Sequence, residues 1–266
     1  MTHLKKLMDL SGRRAVITGG AGHIGRVIAD TFAGMGANLV LVDIDAEKLS
    51  EVGKMLSKKH SVEIKTVACD LEFEESRENL AATVRDAGGL NVLVNNAAFV
   101  GTSNLSGWAE PFERQTLDTW RRAVEVNLTA AFHLSQLFAP NLRNQLGASI
   151  INIGSIYGCL APDWSLYEGT DMANPAAYGV SKAGLVQLTK YLATSLAPNV
   201  RANAISLGGV ERGQPEIFKE RYINKTPLRR MATEEDLIGA VAFLASDMSS
   251  YVTGQTLTVD GGLSTA

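Results

Sequence analysis

The sequence predicts an α/β fold, a doubly wound parallel sheet with helices on both faces. Three observations carry this. Short apolar runs of strand length alternate with segments of helical periodicity along nearly all 266 residues. The first run, RAVIT at 14–18, enters a glycine-rich turn at 19–25 and then a helix at 26–35. No Pro/Ser-rich linker interrupts the chain, so residues 1–266 are expected to form one domain, a length that open α/β sheets reach without dividing.

The elements follow in order. A strand at 38–42 ends on Asp43, a helix spans 46–59 and a strand 62–68. Next come a helix at 73–86, a short buried strand at 91–95 and a long helix at 116–146. The second half gives strand 149–153, helix 176–196, strand 201–206, helix 233–246 and strand 256–259. Right-handed crossovers between parallel strands put all strand carboxyl ends on one side, where ligands bind in open α/β sheets. Asp43, Asn95, Ser155 and the residues after Ser206 fall on that edge.

Composition narrows the function classes. The hydrophobic fraction is 45%, with no apolar run long enough to span a bilayer, and the opening MTHLKKLMDLSG lacks the apolar stretch of a secretory signal. A net charge of −3 argues against a nucleic-acid surface. Cys69 and Cys159 have no paired spacing, and His3, His60 and His133 have no metal-ligand spacing. The expectation is a cytoplasmic protein without disulfide, metal, membrane or nucleic-acid partner, acting on a small-molecule substrate.

Chemistry concentrates in a few residues. Gly19, Gly22 and Gly25 permit positive φ and close backbone approach, and the helix behind them offers unpaired N–H groups to a pyrophosphate, His23 through its backbone amide. Asp43, eighteen residues after Gly25, is placed to accept hydrogen bonds from ribose hydroxyls. Tyr178 and Lys182 lie four apart, on one helix face, where an ammonium can stabilise a phenolate that otherwise forms only near about pH 10. Each feature has a plainer reading. A Tyr/Lys pair can be a core edge and a solvated charge, Ser155 a helix cap, and Asn127 a partner for a backbone carbonyl.

The ordered set Thr18–Gly25, Cys69-Asp-Leu71, Asn95-Asn-Ala-Ala98, Asn127, Ser155, Tyr178/Lys182 and Val252-Thr-Gly-Gln through Asp260-Gly-Gly262 resembles the short-chain dehydrogenase/reductase family over 10–262. The resemblance implies a Rossmann-type fold, a nicotinamide cofactor and an alcohol/ketone oxidoreduction. It implies that Tyr178 exchanges the substrate proton, Lys182 lowers the phenol's pKa and holds the nicotinamide ribose, Ser155 stabilises the reacting oxygen, and Asn127 positions a water. It gives Asp70, with Leu71, the adenine, and places Asn95 in the central sheet beside the cofactor. Ile24, Ala97, Gly208 and Val210 complete the implied cofactor set. Asp43 would repel the extra phosphate of NADP, and neither Ile44 nor Asp45 brings a cation, so NAD is expected; Lys48 is the nearest rival. The family implies a homodimer or homotetramer, with the helices at 116–146 and 176–196 as faces.

Departures from the classical members bear on substrate. Glycines at 19, 22 and 25 are spaced as in extended members of the family, many of which act on nucleotide sugars. Ser155 and Tyr178 are twenty-three residues apart, so a loop at 158–177 is inserted, carrying Asp163, Trp164, Tyr167, Glu168 and Asp171. Acids accept hydroxyl donors and aromatic faces cover C–H surfaces, which suits a polyhydroxylated ring held by Ser155, Trp164, Tyr167, Glu168 and Tyr178. A solvated loop or a subunit contact is the alternative. The stretch from Ser155 through YEGTDM to Tyr178 resembles reductases of bacterial surface-sugar and flagellin-modification pathways.

A lid is expected at 208–230. Leu207-Gly208-Gly209 stands where the family normally has Pro-Gly, which frees the backbone at its entrance and predicts greater mobility. Its six basic residues, Arg212, Lys219, Arg221, Lys225, Arg229 and Arg230, suit an anionic substrate or a solvated face. Two other readings stand beside a sugar-like or anionic substrate: an acyl or simple polyol reductase, and a non-catalytic dinucleotide-sensing protein.

Overall fold

A computed structural model describes residues 2–86, 88–100 and 105–265. In chain order the elements are α1 (His3–Met8), β1 (Arg14–Thr18), α2 (His23–Gly34), β2 (Asn38–Asp43), α3 (Ala46–Lys59), β3 (Ile64–Ala68), α4 (Glu74–Asp86) and β4 (Val92–Asn95). There follow α5 (Leu117–Val124), α6 (Ala130–Arg143), β5 (Ala148–Ile153), α7 (Ala176–Ser195), β6 (Val200–Leu207), α8 (Glu216–Lys225), α9 (Ile238–Ala245) and β7 (Thr256–Val259). The strands form one seven-stranded parallel sheet in the order β3-β2-β1-β4-β5-β6-β7. The order reverses between β1 and β4, which opens a crevice at the carboxyl edge.

Burial follows position in the sheet. Every residue of β4 and β5 is buried, whereas the edge strands β3 and β7 have no buried residue. Alternate residues point to opposite faces and build two separate cores. Ala15, Ile17, Leu39 and Leu41 meet Ile28 and Phe32 of α2 and Leu244 of α9 on one side. Val16, Val40 and Ile150 meet Leu80 of α4, Phe138 of α6 and Leu192 of α7 on the other. Each such large side chain contributes about 1.5–3 kcal/mol by leaving water.

Two departures from the expected elements matter. The helix expected at 116–146 is divided: α5 and α6 are joined by a π-helical turn at Glu125–Thr129 with Asn127 buried inside it. Such a turn leaves backbone carbonyls out of the regular ladder and is common at functional sites, and periodicity alone does not reveal it. The lid carries its own helix, α8, packed through Phe218 and Tyr222 on Leu166 and Met231. Among the described residues no helix is long and apolar enough to cross a membrane.

Candidate active site

A cleft of about 610 Å³ lies along the carboxyl edge of the sheet. Gly19, Gly22, His23, Ile24 and Gly25 form one end of its floor, with Asp43, Asp70 and Leu71 beyond them. Ala97, Ser155, Tyr178, Lys182, Gly208 and Val210 line the remainder. Trp164 and Glu168 were also expected to touch a substrate and do not line it, nor do Asn95, expected in the central sheet beside the cofactor, and Asn127, expected to position a water.

The dinucleotide end is built from backbone. Gly19 has φ 66°, and a Cβ on Gly25 would sit 2.0 Å from the Gly19 carbonyl oxygen, so only glycine lets α2 start this close to the turn. Thr18 Oγ1 accepts the amides of Asn96 and Ala97, each at 3.0 Å, while Asn96 Nδ2 donates to the Thr18 and Gly19 carbonyls at 2.8 and 3.1 Å. The turn is thereby pinned to the end of β4. At the far end, Asp43 accepts from Ala21 N–H at 2.9 Å and Asp45 N–H at 3.2 Å. Lys48 is engaged with Asp45 at 2.8 Å, and Arg26 donates to the Ala21 carbonyl at 2.8 Å. The bare glycine cradle and the aimed carboxylate fit a dinucleotide.

The reacting end differs in part from expectation. Lys182 is buried, donates to the Ile153 carbonyl at 2.8 Å and lies 5.8 Å from the centre of the Tyr178 ring. Burial without a carboxylate partner pulls its pKa down to about 8. The Tyr178 phenol is not held low. Loss of water raises it, and the Ser155 hydroxyl and the Arg212 charge only offset that in part. In the chain by itself the Lys182 ammonium donates to a carbonyl of β5 rather than to the phenol.

Long-range contacts fix where these four side chains go. Asn95 turns into the sheet, donating to Asn152 Oδ1 at 2.8 Å in a buried chain that continues to Thr189, and its neighbour Asn96 takes the cleft. Asn127 accepts Phe99 N–H at 2.6 Å and donates to Ser181 Oγ at 3.0 Å, so its side chain fixes the loop after β4 to α7. Glu168 is exposed, and its backbone carbonyl, not its carboxylate, is used, by Arg221. Trp164 is 58% exposed and faces an outer chamber of about 1080 Å³, which Asp171 also lines.

The lid's cations are likewise engaged. Arg212 pairs with Glu234 at 3.0 Å, Lys219 with Glu216 at 2.6 Å, Lys225 with Asp163 and Arg230 with Asp236 at 2.6 Å. Arg221 and Arg229 donate to backbone carbonyls. Only Arg212 of the six lines the cleft. At the lid entrance, where the family's proline is missing, the Tyr222 hydroxyl accepts the Gly209 amide at 2.5 Å.

Several cleft residues escaped sequence reasoning. Tyr157, Met172, Gln214, Phe218 and Met231 wall the end beside Tyr178. Tyr157 was within reach, two residues after Ser155 in INIGSIYG. Phe218 and Tyr222 had a weaker signal, their i, i+4 spacing on one face of α8. Away from the cleft, Glu74, Glu78 and His133 bring ligand atoms within 4.8 Å, but His133 Nδ1 already accepts from Arg77 at 3.1 Å.

Comparisons with known proteins agree with this geometry. A family profile described as enoyl-(acyl carrier protein) reductase matches residues 19–264. The chain is 32% identical to the 3-oxoacyl-[acyl-carrier-protein] reductase FabG of Thermotoga maritima, over 96% of this chain and 99% of that protein. It is 34% identical to the probable galactose dehydrogenase GalD of Rhizobium meliloti, over 96% of each. A gluconate 5-dehydrogenase of Burkholderia cenocepacia, solved with NADP and tartrate, superposes with TM-score 0.88 at 28% identity, covering 99% of this chain and 100% of that one.

Proposed function

Because the chain belongs to the short-chain dehydrogenase/reductase family, within which alcohols and ketones are interconverted with a nicotinamide dinucleotide, we propose that it uses NAD(H) on a secondary alcohol or ketone of a compact, oxygenated metabolite, sugar-like or anionic. The observation that carries the reading is one continuous cleft with Tyr178, Ser155 and Lys182 at one end and Asp43 at the other.

The residues divide the work as follows. Gly19, Gly22 and the first amides of α2 hold the pyrophosphate, Asp43 the adenosine ribose, and Asp70 and Leu71 the adenine. When bound, the dinucleotide supplies the hydride acceptor or donor. Tyr178 carries the proton: its raised pKa keeps the phenol protonated near neutrality, ready to donate to a carbonyl oxygen as reduction proceeds. Ser155 donates to the same oxygen, stabilising its developing negative charge. Lys182, which lines the same end, would hold the nicotinamide ribose.

NAD rather than NADP is supported by the absence, among the described residues lining the adenosine end, of a cation free to meet a 2′-phosphate. Fluorescence titration tests this: NADH is expected to bind more tightly than NADPH, and Asp43→Ala with Ile44→Arg to level or reverse the preference. Tighter NADPH binding by the wild type would overturn it, and NADP bound to relatives makes the test necessary. A compact oxygenated substrate is supported by Arg212, Gln214 and the phenols of Tyr157 and Tyr167 around an otherwise apolar end. A screen of keto-sugars, keto acids and sugar phosphates with NADH identifies it; rates confined to long acyl ketones would favour the acyl-reductase alternative. We also take the chain to be a cytoplasmic homodimer or homotetramer, with exposed Phe132 on α6 and Val180 and Tyr191 on α7 in the contact.

A further inference from the structure

Two phenols and an amide meet beside the catalytic tyrosine in an arrangement that leaves a donor unspent. The hydroxyls of Tyr157 and Tyr167 are 2.6 Å apart. Each phenol has one O–H, so whichever hydroxyl donates in this pair, the other keeps its own proton for a further acceptor. Asn174 is 6% exposed and its side chain sits against both phenol oxygens, where it acts to lower their pKa, so the donor left over is a phenol O–H. Buried donors without acceptors are uncommon in folded proteins and call for one.

The cluster sits where a substrate would reach it. Tyr157 and Tyr167 line the catalytic cleft together with Tyr178, and the same two residues with Asn174 line the outer chamber, so they form the wall between the two spaces. The chain fixes them on both sides of the chemistry: Tyr157 is two residues after Ser155, whose Oγ accepts its amide at 3.2 Å, and Asn174 is four residues before Tyr178. Gly158, next in the same turn, lies so close to α7 that a Cβ there would be 2.8 Å from the Lys182 carbonyl carbon. Tyr167 is held from the lid side by Phe218, ring centres 5.4 Å apart. Burial raises the pKa of both phenols, which keeps them protonated as donors.

Resting on the oxidoreductase reading, we propose that Tyr157, Tyr167 and Asn174 form a neutral donor subsite that selects carbonyl substrates bearing a second oxygen acceptor near the reacting carbon. A carboxylate, a hydroxyl or an ester oxygen accepts from the free phenol O–H on the cleft side; a plain alkyl ketone leaves it unpaired, and the site discriminates by that difference. The two phenols are neutral donors, distinct from the cations that also line the cleft: Arg212, paired with Glu234, Arg122, paired with Glu72, and Lys182.

The test uses three ketones of similar length, 4-oxopentanoate, 5-hydroxy-2-pentanone and 2-hexanone, reduced with saturating NADH by the full-length protein. The wild type is expected to favour the first two over 2-hexanone by about tenfold or more in kcat/KM. Tyr157→Phe and Tyr167→Phe keep the rings and are expected to bring that ratio toward one. Because the ratio is taken within each variant, partial loss of folded protein cancels, and the NADH dissociation constant reports that the cofactor site survives. A purely structural role for the cluster would lower all three rates together and leave the ratio unchanged, which would overturn the subsite. A wild-type ratio near one would overturn it as well. Absence of turnover across these ketones and the keto-sugar panel with either reduced cofactor would instead sink the oxidoreductase reading, and the subsite with it.

Discussion

Lys182 shows how burial and chemistry are linked at the scale of one residue. Its ammonium is out of water with a single carbonyl for company, and its pKa falls from 10.5 to about 8. Below pH 8 the folded and unfolded chains both carry the proton, so the cost of burying the charge is constant. As pH rises from about 8 toward 10.5 the folded chain releases the proton before the unfolded one does, so stability rises relative to a variant without the amine. Wild type is therefore expected to gain up to about 3 kcal/mol on Lys182→Met over that window, read from paired urea midpoints at pH 7, 8, 9 and 10. A gap that does not change with pH would mean the amine is solvated. Tyr178→Phe addresses the proton itself: NADH binding is expected to persist while turnover falls by about a hundredfold or more, measured under single-turnover conditions. Near-normal turnover would remove Tyr178 from its assigned role.

Elements matter here mainly through how the lid meets the inserted loop. The 158–177 insertion and α8 face one another across Phe218, Tyr167 and Leu166, and are joined at the rim by Asp163, Ser165 and Lys225. Among the described residues Asp163 and Lys225 pair across the loop and the lid, while Arg212, Lys219 and Arg230 pair with Glu234, Glu216 and Asp236, which leaves most of the lid's bases unavailable to a substrate. Tyr222 anchors the other end, and Tyr222→Phe leaves the Gly209 amide unpaired at a cost of about 1–3 kcal/mol. Hydrogen exchange at residues 208–225 is expected to accelerate in that variant while exchange in β4 and β5 is unchanged. Uniform acceleration across the sheet would show that the lid is not a separate opening unit.

The whole molecule separates stability from chemistry by placing them on different parts of one sheet. Phe138 on α6 is fully buried in the core on the α4, α6 and α7 side and does not line the cleft. Phe138→Ala is expected to cost about 3–5 kcal/mol in urea unfolding while the KM of the folded fraction stays within about twofold. Assembly belongs to this scale too. Sedimentation is expected to show a dimer or tetramer, and Tyr191→Glu, which puts a charge on an exposed ring of α7, to weaken it; a monomeric wild type would discard that proposal.

The sequence by itself determined the fold class, because alternating buried strands and amphipathic helices are written in local periodicity, and parallel connection leaves few topologies. It also determined the positions of Gly19, Gly25, Asp43, Ser155, Tyr178 and Lys182, because each sits at a fixed offset from a strand end or helix start. Only the tertiary structure decided that Asn96 rather than Asn95 faces the cleft, since both end one strand and only the partners across the sheet, Asn152 and Thr18, distinguish them. It likewise decided that the lid's bases are mostly taken up by acids and carbonyls around them, and that Tyr157 lines the cleft. Asp163 and Lys225 are 62 residues apart, and Asn127 is 28 residues from Phe99. Local spacing says what a residue can offer, whereas the partner that takes up the offer is set by where the crossovers bring distant segments together.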